Sequence, residues 1–299
     1  MSKTALVTGA SSGFGLLTTI TLAKQGWRVL ATMRDLARRE RLENAAQEAG
    51  VLDLIEFITL DVTNNDQIGA LAARLAARPT PLDALINNAG FAMAGFADDI
   101  SDHELRQQFD TNFFGATALT RAVLPLMRKQ GFGHIVFLSS ISGRCGFPFI
   151  SSYSASKFAI EGWAESLRLE LKPLGLQVAL VEPGVYDTNI WTTGAFLSKQ
   201  TQLIQAQAAD PKPASKSKAH NAHSSNAARI PGMIAHINTP KPRANPQEVA
   251  DGIVNILETR RPKLRHVFGK DAKGALWLRR LLPFGLYERL LIKASGMGK

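Results

Sequence analysis

The chain has 299 residues, 45% of them hydrophobic and 20% charged, with a single cysteine and a net charge of +10. That length can bury a full core, and the balance excludes a disordered or fibrous chain. One cysteine, Cys145, excludes an intramolecular disulfide and a cysteine-built metal site. The charge is uneven: residues 1–198 carry 17 Lys and Arg against 19 Asp and Glu, and residues 199–299 carry 18 against 6. A basic C-terminal third is more commonly a solvated surface than a nucleic-acid site, and no nucleic-acid-binding motif is found, so nucleic acid is not an expected partner. A strand begins at once in MSKTALVTG with no secretory leader before it, and no apolar run approaches the ~18 residues that span a bilayer. With the lone cysteine, these features point to a cytoplasmic chain.

Short apolar runs at 4–8, 28–32, 55–60, 84–88, 134–140 and 176–183 alternate with stretches of helical length. The alternation predicts βαβ units and therefore an α/β fold, a doubly wound parallel sheet with helices on both faces. Ligands of such sheets bind beyond the carboxyl ends of the strands. The distinctive runs of this chain fall there.

The first strand runs into TGASSGFG, where Gly9, Gly13 and Gly15, with Ser11, Ser12 and Phe14 between them, open a helix. A helix N-terminus offers unpaired amides and the positive end of a dipole, so a phosphate is the expected ligand; a plain tight turn is the alternative. After the second strand comes ATMRDL, in which Arg34 stands where a dinucleotide's 2′-substituent is read, with Asp35 starting the next helix. An arginine there, assisted by Ser11, favours a 2′-phosphate, so NADP(H) is expected ahead of NAD(H), which stays open. Asp61 and Val62, after the third strand, are set to meet an adenine, and Asn88, Ala89 and Gly90, after the fourth, to pass behind a ribose.

Further along, Asn112 lies in FDTNFFG, Ser140 ends the run HIVFLSS, and Tyr153 and Lys157 stand four apart in SSYSASKFAIEGWAESLRLEL. Spacing of four puts phenol and ammonium on one helix face, and an ammonium beside a phenol is expected to lower its pKa toward the working range of an acid/base. Asn112 alone reads as a helix kink and Ser140 alone as a strand-end cap; their joint spacing with Tyr153 and Lys157 is what points to proton transfer.

Residues 192–245 are rich in Ala, Ser, Gln and Lys with weak periodicity and read as a lid. His220 and His223 have no third ligand nearby, so no metal is expected. Order returns at NPQEVADGIVNILETRR, where Asn245 caps a helix begun by Pro246, followed by a strand in LRHVF. The last segment, ALWLRRLLPFGLYERLLIKASG, is basic and amphipathic, suited to cover the pocket, pack on a partner subunit or lie on a membrane.

Taken together, TGASSGFG, LDVT, NNAG, Asn112, Ser140, YSASK and PG at 183–184 resemble the classical short-chain dehydrogenase/reductases, from residue 4 to about 191. Within them the chain looks most like the 17β-hydroxysteroid and retinol dehydrogenase-like branch, and Phe14 replaces the more frequent isoleucine of the glycine motif. The resemblance implies one Rossmann-like domain over 1–299: a cofactor-binding and catalytic core at 1–191, the lid at 192–245, and a final helix, strand and basic tail at 246–299. A seven-stranded parallel sheet and assembly into homodimers or homotetramers are implied with it. It also implies the roles. Tyr153 gives a proton to a substrate carbonyl oxygen that Ser140 steadies. Lys157 lowers the tyrosine pKa and holds the nicotinamide ribose, and Asn112 bends its helix and anchors a proton-relay water. Pro183 and Gly184 open the turn in which Val185 and Thr188 hold the carboxamide.

Phe91, Met93, Phe96, Cys145, Phe147, Phe149, Trp191 and Phe196 are expected along the outer cleft, which suits a steroid, retinoid, fatty or aryl alcohol or ketone. Ser140, Cys145, Phe147 and Tyr153 are the expected substrate contacts. The rival readings are a dehydrogenase of polar metabolites and a non-catalytic NADP(H)-sensing or scaffold protein.

Overall fold

A computed structural model describes residues 2–188, 190, 195–209, 229–230, 232–233 and 244–295. Among them a seven-stranded, wholly parallel sheet runs in the order β3-β2-β1-β4-β6-β7-β9. Its strands are β1 (Thr4–Thr8), β2 (Arg28–Met33), β3 (Ile55–Thr59), β4 (Ala84–Asn87), β6 (Gly133–Leu138), β7 (Leu176–Pro183) and β9 (Arg265–Phe268). β5 (Ala92–Ala94) and β8 (Ala195–Leu197) form a separate parallel pair that the sequence reading missed. Strands of three residues each carry too little pattern to announce themselves.

Successive strand residues enter opposite layers, which is why the strands read as unbroken apolar runs. Ala5, Val7, Val29 and Ala31 pack on α1 (Gly13–Lys24), α2 (Glu40–Glu48) and α8 (Gln247–Glu258), through Leu16, Leu22, Leu42, Val249 and Ile253. Leu6, Leu30, Leu85 and Ile135 pack on α3 (Asn65–Ala76), α5 (Ala116–Gln130) and α6 (Ser151–Leu171), through Leu71, Leu119, Val123, Ile160 and Leu167. The chain leaves β1 toward β2 on one side and returns to β4 on the other, so the crevice of a doubly wound sheet opens at the ends of β1 and β4.

Between α4 (Asp102–Phe109) and α5 the helix widens into a π segment at Asp110–Gly115, centred on Asn112. Of the expected lid, residues 195–209, with β8 and α7 (Lys199–Ala209), and six later residues are described, and Ile204, Ile230 and Met233 pack with Phe149, Ile150 and Tyr153. Trp191, His220, His223 and the side chain of Phe196 lie outside the described residues. Asn245 Oδ1 accepts from the Gln247 amide at 3.0 Å and so starts α8. The basic C-terminal segment is two helices, α9 (Lys270–Leu281) and α10 (Phe284–Ala294), because Pro283 forces Leu282 into extended backbone (φ −91°, ψ 138°).

Candidate active site

The turn after β1 is shaped by what it must avoid. Gly9 has φ +67°, and a Cβ there would lie 2.9 Å from Ala89 Cα. At Gly15 a Cβ would lie 2.4 Å from both Asn88 Nδ2 and the Gly9 carbonyl oxygen. Asn88 Nδ2 donates to the Thr8 and Gly9 carbonyls at 2.8 and 3.1 Å, and Thr8 Oγ1 accepts from the Asn88 and Ala89 amides. The ends of β1 and β4 are thereby fastened together with room only for glycine. Ser12 caps α1 with no side-chain hydrogen bond among the described residues, leaving the first-turn amides to meet an anion.

Beside this turn runs a cavity of about 720 Å³. One end is walled by Met33, Arg34, Arg38 and Arg41. Its middle is formed by Gly9, Ser11, Ser12, Gly13 and Phe14 facing Val62, Asn88, Ala89 and Gly90. Ser140, Phe147, Ile150, Tyr153 and Lys157 line the far end with Pro183, Gly184, Val185, Thr188 and Ile190, and Ala272 and Ala275 of α9 complete it.

Ser140 leaves β6 in extended backbone, and its Oγ accepts from the Ser142 amide at 3.1 Å, which turns the chain toward α6. The Tyr153 hydroxyl is hydrogen-bonded to Ser140. Lys157 Nζ donates to the Leu138 carbonyl at 2.7 Å and sits 5.6 Å from the centre of the Tyr153 ring. Asn112 Oδ1 accepts from the Phe91 amide (3.1 Å), while Nδ2 donates to the Phe91 carbonyl (3.0 Å) and to Ser156 Oγ (3.1 Å). Ser156 Oγ in turn donates to the Tyr153 carbonyl at 2.7 Å. The widened helix thus ties Phe91, in the connection just before β5, to the first turn of α6.

Burial governs the ionisation of the pair. It pushes the Tyr153 phenol up to about 12, against a smaller downward pull from the Ser140 hydrogen bond. It brings the Lys157 ammonium down to about 8, against the upward pull of Glu161. The expected lowering of the tyrosine by Lys157 is therefore overturned: both groups are desolvated, and each is driven toward its neutral form.

Residues 3–195 match the short chain dehydrogenase family model. The chain belongs to that family. It is 40% identical to the uncharacterized oxidoreductase YusZ of Bacillus subtilis, over 97% of this chain and 98% of that protein. It is 36% identical to human retinol dehydrogenase 8, over 88% and 80%. Among solved structures, a short-chain dehydrogenase from Streptomyces avermitilis superimposes with a TM-score of 0.74 at 33% identity, covering 93% of this chain and 94% of that one. A short-chain dehydrogenase from Burkholderia cenocepacia, solved with NADP, superimposes with a TM-score of 0.71 at 25% identity, covering 97% and 98%. This chain is accordingly an oxidoreductase of the short-chain dehydrogenase family.

In this dehydrogenase several expected contacts stand elsewhere. Cys145 is buried with Ile141, Ala272 and Tyr287, off the cavity wall, because the loop after Ser140 turns its side chain under α9. Asp61 is also off the wall: its Oδ1 accepts from the Thr63 amide and hydroxyl at 2.9 and 2.8 Å, closing its own turn. Gly15 and Asn112 support the site from behind. Val185 reaches the wall, but its amide donates to Asp271 Oδ2 at 2.7 Å. Of the expected aromatic wall, Phe91 and Phe147 reach the cavity, while Phe96 and Phe149 meet edge to face at 5.1 Å and Met93 is buried off the wall. Sequence reasoning missed Arg38, Arg41, Asp271 and the alanines of α9. The first two gave no signal of their own, since Arg34 lies in a bend after β2, Arg38 ends a short helical turn at Leu36–Arg38 and only Arg41 is on α2.

Proposed function

We propose that this chain is an NADP(H)-dependent oxidoreductase that interconverts a secondary alcohol and a ketone or aldehyde on a hydrophobic substrate of steroid, retinoid, fatty or aryl type. The observation that carries the reading is one cavity with three arginines at one end and Tyr153 hydrogen-bonded to Ser140 at the other. The glycine turn, Asn88 to Gly90, Lys157 and Thr188 would hold the dinucleotide, and Arg34, Arg38 and Arg41 its 2′-phosphate. When bound, NADPH supplies the hydride. Tyr153, kept protonated by burial, gives its proton to the substrate oxygen, and Ser140 donates a hydrogen bond to the same oxygen. Lys157 in its charged form eases that transfer by stabilising the phenolate left behind. Phe91, Phe147, Ile150, Ile190, Ala272 and Ala275 offer apolar surface beside the tyrosine, which favours a greasy substrate over a polar metabolite. NADP in the Burkholderia cenocepacia structure and the name of the human relative support the same reading; NAD(H) is the competing cofactor.

Exposed Phe114, Phe158 (on α6) and Leu169 (71% exposed, also on α6) supply an apolar face for a homodimer or homotetramer. On the far side of the molecule's α9, Trp277 and Leu281 are exposed beside Lys273 and Arg280, and on α10 Leu286 and Leu290 beside Arg289 and Lys293. That pattern suits peripheral contact of a cytoplasmic protein with an anionic membrane surface; among the described residues no helix is long and apolar enough to cross one. The deciding experiment follows consumption of NADPH and, in parallel, NADH against steroid, retinoid, aryl and aliphatic carbonyls, with Tyr153→Phe as control. NADPH-dependent turnover of a bulky apolar carbonyl, abolished in the control, is expected. Turnover confined to polar carbonyls, or undiminished in Tyr153→Phe, would reject the assignment.

A further inference from the structure

The tyrosine and lysine rest on a buried charged cluster that proton transfer does not itself require. One turn after Lys157 on α6 stands Glu161, 4% exposed, and facing it from β7 is Glu182, fully buried. Arg265 of β9 joins them, its Nε 2.9 Å from Glu161 Oε2 and 3.4 Å from Glu182 Oε1, while its NH2 end pairs with Glu165. Arg144, from the loop that follows Ser140, reaches Glu182 Oε1 at 3.2 Å. That loop lies directly on the cluster, since a Cβ on Gly143 would stand 2.9 Å from Glu161 Cγ and 2.7 Å from Ser139 Oγ.

The two acids are not equivalent. Burial and the like charge of Glu161 push the Glu182 carboxyl up to about 7, against the pull of Arg144 and Arg265. Two carboxylates sharing the Arg265 Nε do not both hold a full charge easily, and the like charge acts on Glu182 to raise its pKa. Glu161 keeps one oxygen on Arg265, while its Oε1 is buried with no hydrogen-bond partner among the described residues. In so dry a place a half-paired carboxylate acts strongly through space, and the next cation along its helix face is Lys157.

We propose that Glu161 is a positioning residue that holds Lys157 in its ammonium form, and that Arg265, Arg144 and Glu182 fix Glu161 in place to do so. The desolvation that favours a neutral lysine is thus opposed from the side away from the substrate, and the same cluster braces the turn carrying Ser140. The inference rests on Lys157 being the group that readies Tyr153 to release its proton.

The test is the pH dependence of kcat/KM for NADPH-linked reduction of all-trans-retinal. The wild type is expected to lose activity above about pH 8, where Lys157 gives up its charge. In Glu161→Gln that break moves down by about one pH unit, and in Glu161→Asp, which keeps the charge, it returns toward the wild-type position. A purely structural role lowers the rate at every pH and leaves the break unmoved, and that result overturns the proposal. A second measurement needs no turnover: in wild-type protein labelled with [13C]glutamate, the Glu161 carboxyl resonance, identified by its loss in Glu161→Asp, shows an inflection near pH 8 beyond the one near pH 7 that the neighbouring Glu182 gives it, and only the inflection near pH 8 vanishes in Lys157→Met. A Glu161 resonance with no Lys157-dependent inflection refutes the link, even if retinal is not reduced. An inflection without retinal reduction faults the proposed substrate class instead.

Discussion

Replacing Gly15 by alanine tests whether the fastening of β1 to β4 is what shapes the cofactor turn. The added Cβ would stand 2.4 Å from Asn88 Nδ2 and from the Gly9 carbonyl oxygen, and 3.0 Å from the Gly9 carbonyl carbon. Backbone cannot step aside as the end of a long side chain can, so the asparagine or the turn must move. Moving Asn88 gives up its bonds to the Thr8 and Gly9 carbonyls, about 1 kcal/mol each. Crowding of a packed site adds ~1–3 kcal/mol. Alanine's better helix propensity, at a position in the first turn of α1, returns up to ~1 kcal/mol. The net cost is about 2–5 kcal/mol, which lowers Tm by roughly 3–8 °C in a chain of this size. Because Gly9 and Ala89 shift with the asparagine, the Kd for NADPH should rise at least ~10-fold, about 1.4 kcal/mol. Thermal unfolding by circular dichroism and NADPH binding by fluorescence check both. A Tm within ~2 °C of wild type together with an unchanged Kd would refute the reasoning.

Arg34→Asp should shift cofactor preference toward NADH by weakening NADPH binding roughly 10- to 100-fold, as expected when one charge-assisted phosphate contact is replaced by a repulsive charge; an unchanged ratio of NADPH to NADH affinities counts against the arginine end as the 2′-phosphate site. Asp271→Ala frees the Val185 amide that Asp271 now occupies, so the Kd for NADP should change at least ~3-fold in a calorimetric titration, about 0.7 kcal/mol; equal affinities would mean that the amide takes no part. Stability should also depend on pH through Lys157. Its pKa is lowered by burial to about 8, so an unfolded chain takes up the proton at higher pH than the folded one, and stability rises as pH increases from about 8 through the ordinary lysine range. The Tm difference between wild type and Lys157→Met should therefore shift in favour of wild type over that window, and a constant difference would disprove it.

The sheet was legible because strands buried on both faces show themselves as short apolar runs, and the glycine turn because its spacing is dictated by contacts that tolerate no side chain. Tyr153, Lys157 and Ser140 were singled out by their joint spacing with Asn112 and by the family resemblance that spacing carries, and they do line one end of one cavity. What sequence could not convey was burial and direction. The tyrosine and lysine were expected to be tuned by each other, whereas desolvation dominates both. Cys145 lies between Ser140 and Tyr153 in sequence, yet nothing in its neighbours reveals that the loop turns it under α9. Arg38 and Arg41 sit in a charged run that reads as solvated surface until β2 and α2 set them beside Arg34. The wall made by α9 is the extreme case, since more than a hundred residues separate Ala272 and Ala275 from Tyr153.

That distance along the chain has an evolutionary consequence. The glycine turn, Ser140, Tyr153 and Lys157 fall between β1 and the turn after β7, whereas Ala272 and Ala275 belong to a helix near the other end of the polypeptide. Mutation at Ala272 and Ala275 can therefore reshape that end of the cavity while the residues around Tyr153 are inherited intact, so long as the neighbouring Asp271 keeps its hold on the Val185 amide.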